Sequence, residues 1–107
     1  MNRSFFDLQA EFCRVMGNAA RLQIIHFLRE GALSVKEIAQ RTGFDPAFVS
    51  RQLSSLRQIG VVKFQRQGNE TLYQLTDPVI GEVCDLVRKV LSGQMYRQRE
   101  AFSETED

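Results

Sequence analysis

The sequence predicts a mainly α fold with a small β-hairpin, in the order α-α-α-α-β-β-α: a helix-turn-helix followed by a β-wing. Three observations carry this. Apolar residues recur at helical spacing in five segments, and two of these are short and meet at a tight turn around Gly43. After Gly60 the pattern changes to "VVKFQRQGNETLYQL", an alternation broken by the turn pair Gly68-Asn69. Residues suited to start or stop a helix sit at the segment ends.

The elements follow in order. "SFFDLQAEFCRVMG" sets Phe5, Leu8, Phe12, Val15 and Met16 on one stripe and ends at Gly17, as an amphipathic helix does. Asn18 caps the next, "AARLQIIHFLREG", with Leu22, Ile25 and Leu28 inward and a stop at Gly31. "SVKE" is a capping box in which Ser34 and Glu37 satisfy each other's backbone donors. It opens a short helix with Val35, Ile38 and Ala39 inward, which "TGF" closes. Asp45 is the N-cap and Pro46 the first residue of the fourth helix, held to the core by Val49, Leu53 and Leu56. Val62, Phe64 and Arg66 alternate with polar neighbours, and Thr71 to Leu75 return as the second strand. A two-stranded hairpin alone is marginal in water, so the wing must lean on the helices. Asp77-Pro78 begins the last helix, striped by Ile80, Val83, Val87, Val90 and Leu91. The division expected is one domain over 1–96 and an acidic, flexible tail over 97–107.

Composition narrows the function. The 107 residues suit a single core, and 43% hydrophobic with 25% charged is ordinary globular usage. No apolar run approaches a membrane span, and the first residues lack the long apolar centre of a signal peptide, so a cytoplasmic protein with no membrane partner is expected. Two distant cysteines, Cys13 and Cys84, make no secreted disulfide framework. There is no Gly-rich phosphate loop, no nucleophile motif and one histidine without a catalytic partner, so no enzyme, catalytic residue or cofactor is expected. Lys36, Arg41, Arg51, Arg57, Lys63 and Arg66 stand against Glu37 and Asp45 in the middle third, while "EAFSETED" at the end has acids alone. That segregation suits a nucleic-acid surface, although a plain solvated face produces such windows too.

The fourth helix carries the chemistry. Ala47, Arg51, Ser54 and Ser55 point away from the Val49-Leu53-Leu56 side, flanked by Phe48 and Ser50. Arg bonds guanine O6 and N7 bidentately, Ser serves bases or phosphates, and Ala or Phe can touch a thymine methyl. Lys36, Arg66 and the Gly68-Asn69 turn would meet the phosphate backbone of double-stranded DNA. For the helix alone, a solvent-exposed face remains the other reading.

"MGNAARLQIIHFL", "LSVKEIAQRTGFDPAFVSRQLSSLRQIGVV" and "FQRQGNETLYQLTDP", in this order, resemble the ArsR/SmtB family of bacterial winged-helix repressors over about Phe12 to Leu91. The resemblance implies a homodimer paired through its first and last helices, here through Phe5, Leu8, Phe12, Val83 and Val87. It further implies two recognition helices in successive major grooves of a palindromic operator, repression, and an inducer that lowers affinity. The family's arsenic-site positions fall on Ser34 and Lys36, and its zinc-site positions on Asp77, Val79, Val90 and Gly93, so those ligand sets are missing. Its two-cysteine sulfur sensors place the first thiol where this chain has His26. Pro46 replaces a polar residue common in the family, and Asn69-Glu70 follow the wing glycine without a basic residue. Cys13 and Cys84, on the two interface helices, are the candidates for sensing an oxidant, reactive sulfur or a small inducer. A packing role for both, and a soft metal or metalloid response, stay open. From another class, a winged-helix module for protein contacts with weak DNA affinity stays open too.

Overall fold

Each helix begins where the sequence supplies an acceptor for its first amides. In the computed structural model, which describes residues 4–95, Ser4 caps α1 (Phe5–Met16) in a capping box with Asp7. Asn18 accepts from the Arg21 amide to start α2 (Ala19–Leu28). Ser34 and Glu37 form the expected box at α3 (Val35–Thr42), with bonds of 3.0 and 3.1 Å. The Ser34 backbone amide, and after it the Ser34 hydroxyl, hold the Glu37 carboxyl below the usual carboxylate range. Gly43 closes α3 in the left-handed region at φ 80°, where any other residue would be strained. Asp45 then caps α4 (Pro46–Gln58) through the Ala47 amide at 2.8 Å. The wing is β2 (Val62–Gln67) and β3 (Glu70–Leu75), joined at Gly68-Asn69. Asp77 Oδ1 accepts from the Val79 amide at the head of α5 (Val79–Val90), which runs on into a π-helical turn over Leu91–Met95.

One strand escapes the sequence pattern. Leu33–Ser34, β1, pairs antiparallel with β3, Leu33 opposite Tyr73 and Ser34 opposite Leu72, so the sheet has three strands in the order β1-β3-β2. Two residues are too few to show a period, and Ser34 serves the strand and the α3 cap together. The wing is thereby rooted in the helical body by backbone bonds. The fold is therefore mainly helical, a helix-turn-helix with its wing, as the pattern predicts.

The core gathers Val15 and Met16 of α1, Ile24, Ile25 and Leu28 of α2, Ile38 of α3, and Val49, Leu53 and Leu56 of α4. Val61, Val62 and Ile80 close it from the wing base and α5. Two expectations for α2 need correction. Leu22 is 42% exposed and Ile24 is buried in its stead, because the adjacent pair Ile24-Ile25 turns the inward side more than a quarter-turn from Leu22. The helix also ends at Leu28, with Gly31 donating to the Leu28 carbonyl at 3.3 Å in the turn that follows. Of the predicted tail, nothing from 96 onward lies within the described residues.

Ser34 is buried at 7% exposure, and its hydroxyl accepts from the Glu37 amide, so removing that hydroxyl leaves a helix-end donor without its partner. Ser34→Ala is expected to lower unfolding free energy by about 1–2 kcal/mol, read by urea denaturation. An unchanged midpoint would mean that the cap contributes nothing.

Candidate nucleic-acid interface

The exposed face of α4 is built from inside outward. Val49, Leu53 and Leu56 are wholly buried, which fixes the rotation of α4 and leaves Ala47, Ser50, Arg51 and Ser54 exposed. Ser55 is half-buried, and its hydroxyl donates to the Arg51 carbonyl at 3.4 Å, so it is partly committed to its own helix. Phe48 is half-buried and packs edge-on against Phe44 with ring centroids 5.4 Å apart. The Arg51 guanidinium lies 5.9 Å from the Phe48 ring centre. Phe48 thus anchors the N-terminal turn of α4 and supports Arg51 beside it, a cation–π contact of modest strength at an exposed site.

Lys36, in the first turn of α3, is exposed, as are Arg66, Gly68 and Asn69 on the wing. The register places Arg66 opposite Thr71 and Gln67 opposite Glu70, which puts Gly68-Asn69 at the wing tip. Arg57, at the C-terminal end of α4, stacks 4.2 Å from the Phe64 ring centre. Phe64 in turn sits across from Tyr73, with their rings 5.9 Å apart. This stack joins the end of α4 to the wing. The sequence pattern showed Arg57 only as one charge among six, because its partner lies on another element.

The first and last helices leave their apolar stripes uncovered. Phe5 and Phe6 are 80% exposed, and Leu8, Val83, Leu86, Val87, Val90 and Leu91 are all exposed, while Phe12 is half-buried. Among the described residues the two stripes do not cover each other within one chain. A bidentate pair fastens α5 to the body, with Arg29 donating to both Asp85 oxygens at 2.6 and 2.7 Å. Gly81 makes room for it, since a Cβ there would stand 2.5 Å from Arg29 Nε. The Arg29 bond holds the Asp85 carboxyl below the usual range. Its contribution is therefore present above the ordinary carboxylate pKa and lost as pH falls through the lowered value.

Cys13 is exposed on α1, whereas Cys84 is half-buried on α5 and packs against the core. Burial pushes the Cys84 thiol up, with Arg29 working against the shift. Ser34 and Asp77, at positions where the family's metal ligands would stand, both serve as acceptors for backbone amides. Among the described residues no group of three or more His, Cys, Asp or Glu side chains is placed to hold a metal ion.

Known proteins agree with this geometry. The family model described as "Bacterial regulatory protein, arsR family" matches residues 18–63. The uncharacterized HTH-type transcriptional regulator Rv0081 of Mycobacterium tuberculosis is 36% identical over 88 residues, 81% of this chain and 77% of that protein. Its crystal structure superposes with a TM-score of 0.81 at 33% identity, covering 91% of this chain and 98% of that one. The solution structure of Mb0332 from Mycobacterium bovis, described as a homodimeric winged helix-turn-helix DNA-binding domain, gives 0.77 at 26% identity over 90% of this chain and 94% of that one. The biofilm growth-associated repressor of Xylella fastidiosa strain 9a5c is 27% identical over 85 residues, 79% of this chain and 75% of that protein. Motifs, wing and fold converge, and this chain belongs to the ArsR family of bacterial transcriptional regulators.

Proposed function

We propose that the protein is a homodimeric repressor that reads a two-fold-symmetric DNA site with α4 and releases it on a chemical signal. The observation that carries this is the exposed set Ala47, Ser50, Arg51 and Ser54 on a capped helix whose opposite side is wholly buried. Such a face is small enough to enter a major groove and has a donor suited to guanine. Lys36 and the wing residues Lys63 and Arg66 flank it with positive charge for phosphates. The apolar stripes of α1 and α5, with Phe5, Leu8, Phe12, Val83 and Val87, form the two-fold contact in this reading, as the homodimeric Mycobacterium bovis domain supports. Six phosphate contacts would weaken binding roughly 10³-fold between about 50 and 200 mM salt. Fluorescence anisotropy on duplex DNA tests this, and affinity indifferent to salt would favour a protein-contact module in its place.

The two cysteines bear unequally on the signal. Cys13 is the exposed thiol, while Cys84 is held at the core edge with its thiolate disfavoured. Oxidation of a thiol, or its attack on the sulfane sulfur of a polysulfide with a shorter polysulfide leaving, therefore starts at Cys13 in this reading. A thiol-directed reagent is expected to label Cys13 several-fold faster than Cys84, on the order of tenfold at neutral pH. Oxidant should loosen DNA from the native protein and leave Cys13→Ser bound. Equal release by both proteins would remove thiol sensing from the account.

A further inference from the structure

Arg21 belongs to none of the surfaces described so far, yet it joins three elements. Its amide donates to Asn18 Oδ1 at 3.1 Å, which fixes it in the first turn of α2. Its Nη1 donates to the Val15 carbonyl at 3.0 Å, in the last turn of α1. That carbonyl is among the four that a helix end leaves without an intrahelical partner, and a cation is favoured there. Its Nε donates to Gln52 Oε1 at 2.9 Å, on α4 and 31 positions further along the chain. Gln52 stands between exposed Arg51 and wholly buried Leu53, so the bond reaches the recognition helix at the edge of its reading face.

We propose that Arg21 is a positioning residue that holds α4 at a set distance and angle from α1, and so determines the half-site spacing that the dimer accepts. The planar guanidinium sends Nε and Nη1 in fixed directions, which a lysine ammonium on its flexible stem does not. The side chain is half-buried, so both bonds are sheltered from competing water. This rests on the homodimeric reading above, in which α1 lies at the two-fold axis and α4 in the groove. Any rotation of α4 about α1 is then repeated in the partner, and the separation between the two reading faces changes twice over. Arg21 need not touch DNA to act on specificity in this way.

The test begins with a two-half-site duplex that the native protein selects from random DNA. Its half-sites are then moved together or apart by one base pair. The native protein is expected to lose about tenfold in affinity per shift, the fold-change of one charge-assisted hydrogen bond. Arg21→Ala and Arg21→Lys should bind native and shifted duplexes with nearly equal affinity, with the salt slope unchanged because no phosphate contact is removed. Gln52→Ala removes the acceptor and leaves Arg21 on α2, so it decides the matter if Arg21→Ala fails to fold. It should flatten the spacing profile, and the double variant should add nothing further, since the pair acts as a unit. If these variants weaken every duplex in parallel and keep the native spacing profile, Arg21 merely packs and the proposal is overturned. A native protein that selects no two-half-site duplex overturns the homodimeric reading together with this one, and does so before any substitution is made.

Discussion

Val87→Glu is expected to turn the protein into a monomer and to weaken binding to its operator by about 10²–10⁴-fold, the advantage that linking two half-site contacts confers. Val87 is 55% exposed in the single chain, so a glutamate there meets solvent and leaves the fold intact. Its neighbours Val83, Leu86, Val90 and Leu91 are exposed as well, as are Phe5, Phe6 and Leu8 of α1, and exposed apolar stripes of this kind mark interaction surfaces. Pairing with a second copy would bury position 87, where an unpaired carboxylate costs several kcal/mol. Analytical ultracentrifugation reads the mass and denaturation reads the fold. A Val87→Glu protein that stays dimeric would place the contact elsewhere.

Arg51→Ala is expected to cost about 1–3 kcal/mol per half-site, hence up to about 6 kcal/mol for the symmetric site, and to relax base preference at one position in each half. Arg51 is exposed and rests beside the Phe48 ring, so removing it leaves the Val49-Leu53-Leu56 packing unaltered. Arg51→Lys should recover little, because a lysine cannot bond guanine O6 and N7 as a planar fork. Lys36→Ala should weaken all duplexes evenly and lower the salt slope by about one, as befits a phosphate contact. Competition titrations with matched and mismatched duplexes separate the two behaviours. Full affinity and unchanged preference in Arg51→Ala would mean that this face does not read bases.

What could be read from the sequence was what is local in the chain. The Ser34-Glu37 box, the Asn18 and Asp45 caps and the Pro46 start each involve residues within three positions of one another, and all stand in the structure. The wing was legible because its turn and alternation are contiguous. β1 was not, since two residues carry no period and Ser34 already read as a cap. Leu22 was misplaced because a stripe drawn through every third or fourth apolar residue cannot choose between Leu22 and Ile24 without knowing where α2 packs.

The candidate site divides in the same way. The exposure of Ala47, Ser50, Arg51 and Ser54 follows from helical geometry once Val49, Leu53 and Leu56 are inward. The supports behind that face bring together residues far apart in the chain: Arg21 with Gln52, Arg57 with Phe64, and Arg29 with Asp85. No spacing rule announces such pairs, and each joins polar or aromatic residues that read singly as surface. The cysteines were equivalent by periodicity, both at the flank of a stripe, and burial alone separates Cys13 from Cys84.

The central claim, that two copies of α4 read one DNA site, is tested most directly by selection from random duplexes followed by a chemical protection pattern on the enriched site. The account predicts a two-fold-symmetric sequence whose protected major grooves lie about 34 Å apart on one side of the duplex, one helical turn between half-sites. Enrichment of no sequence, or protection of a single unsymmetric patch, would contradict it.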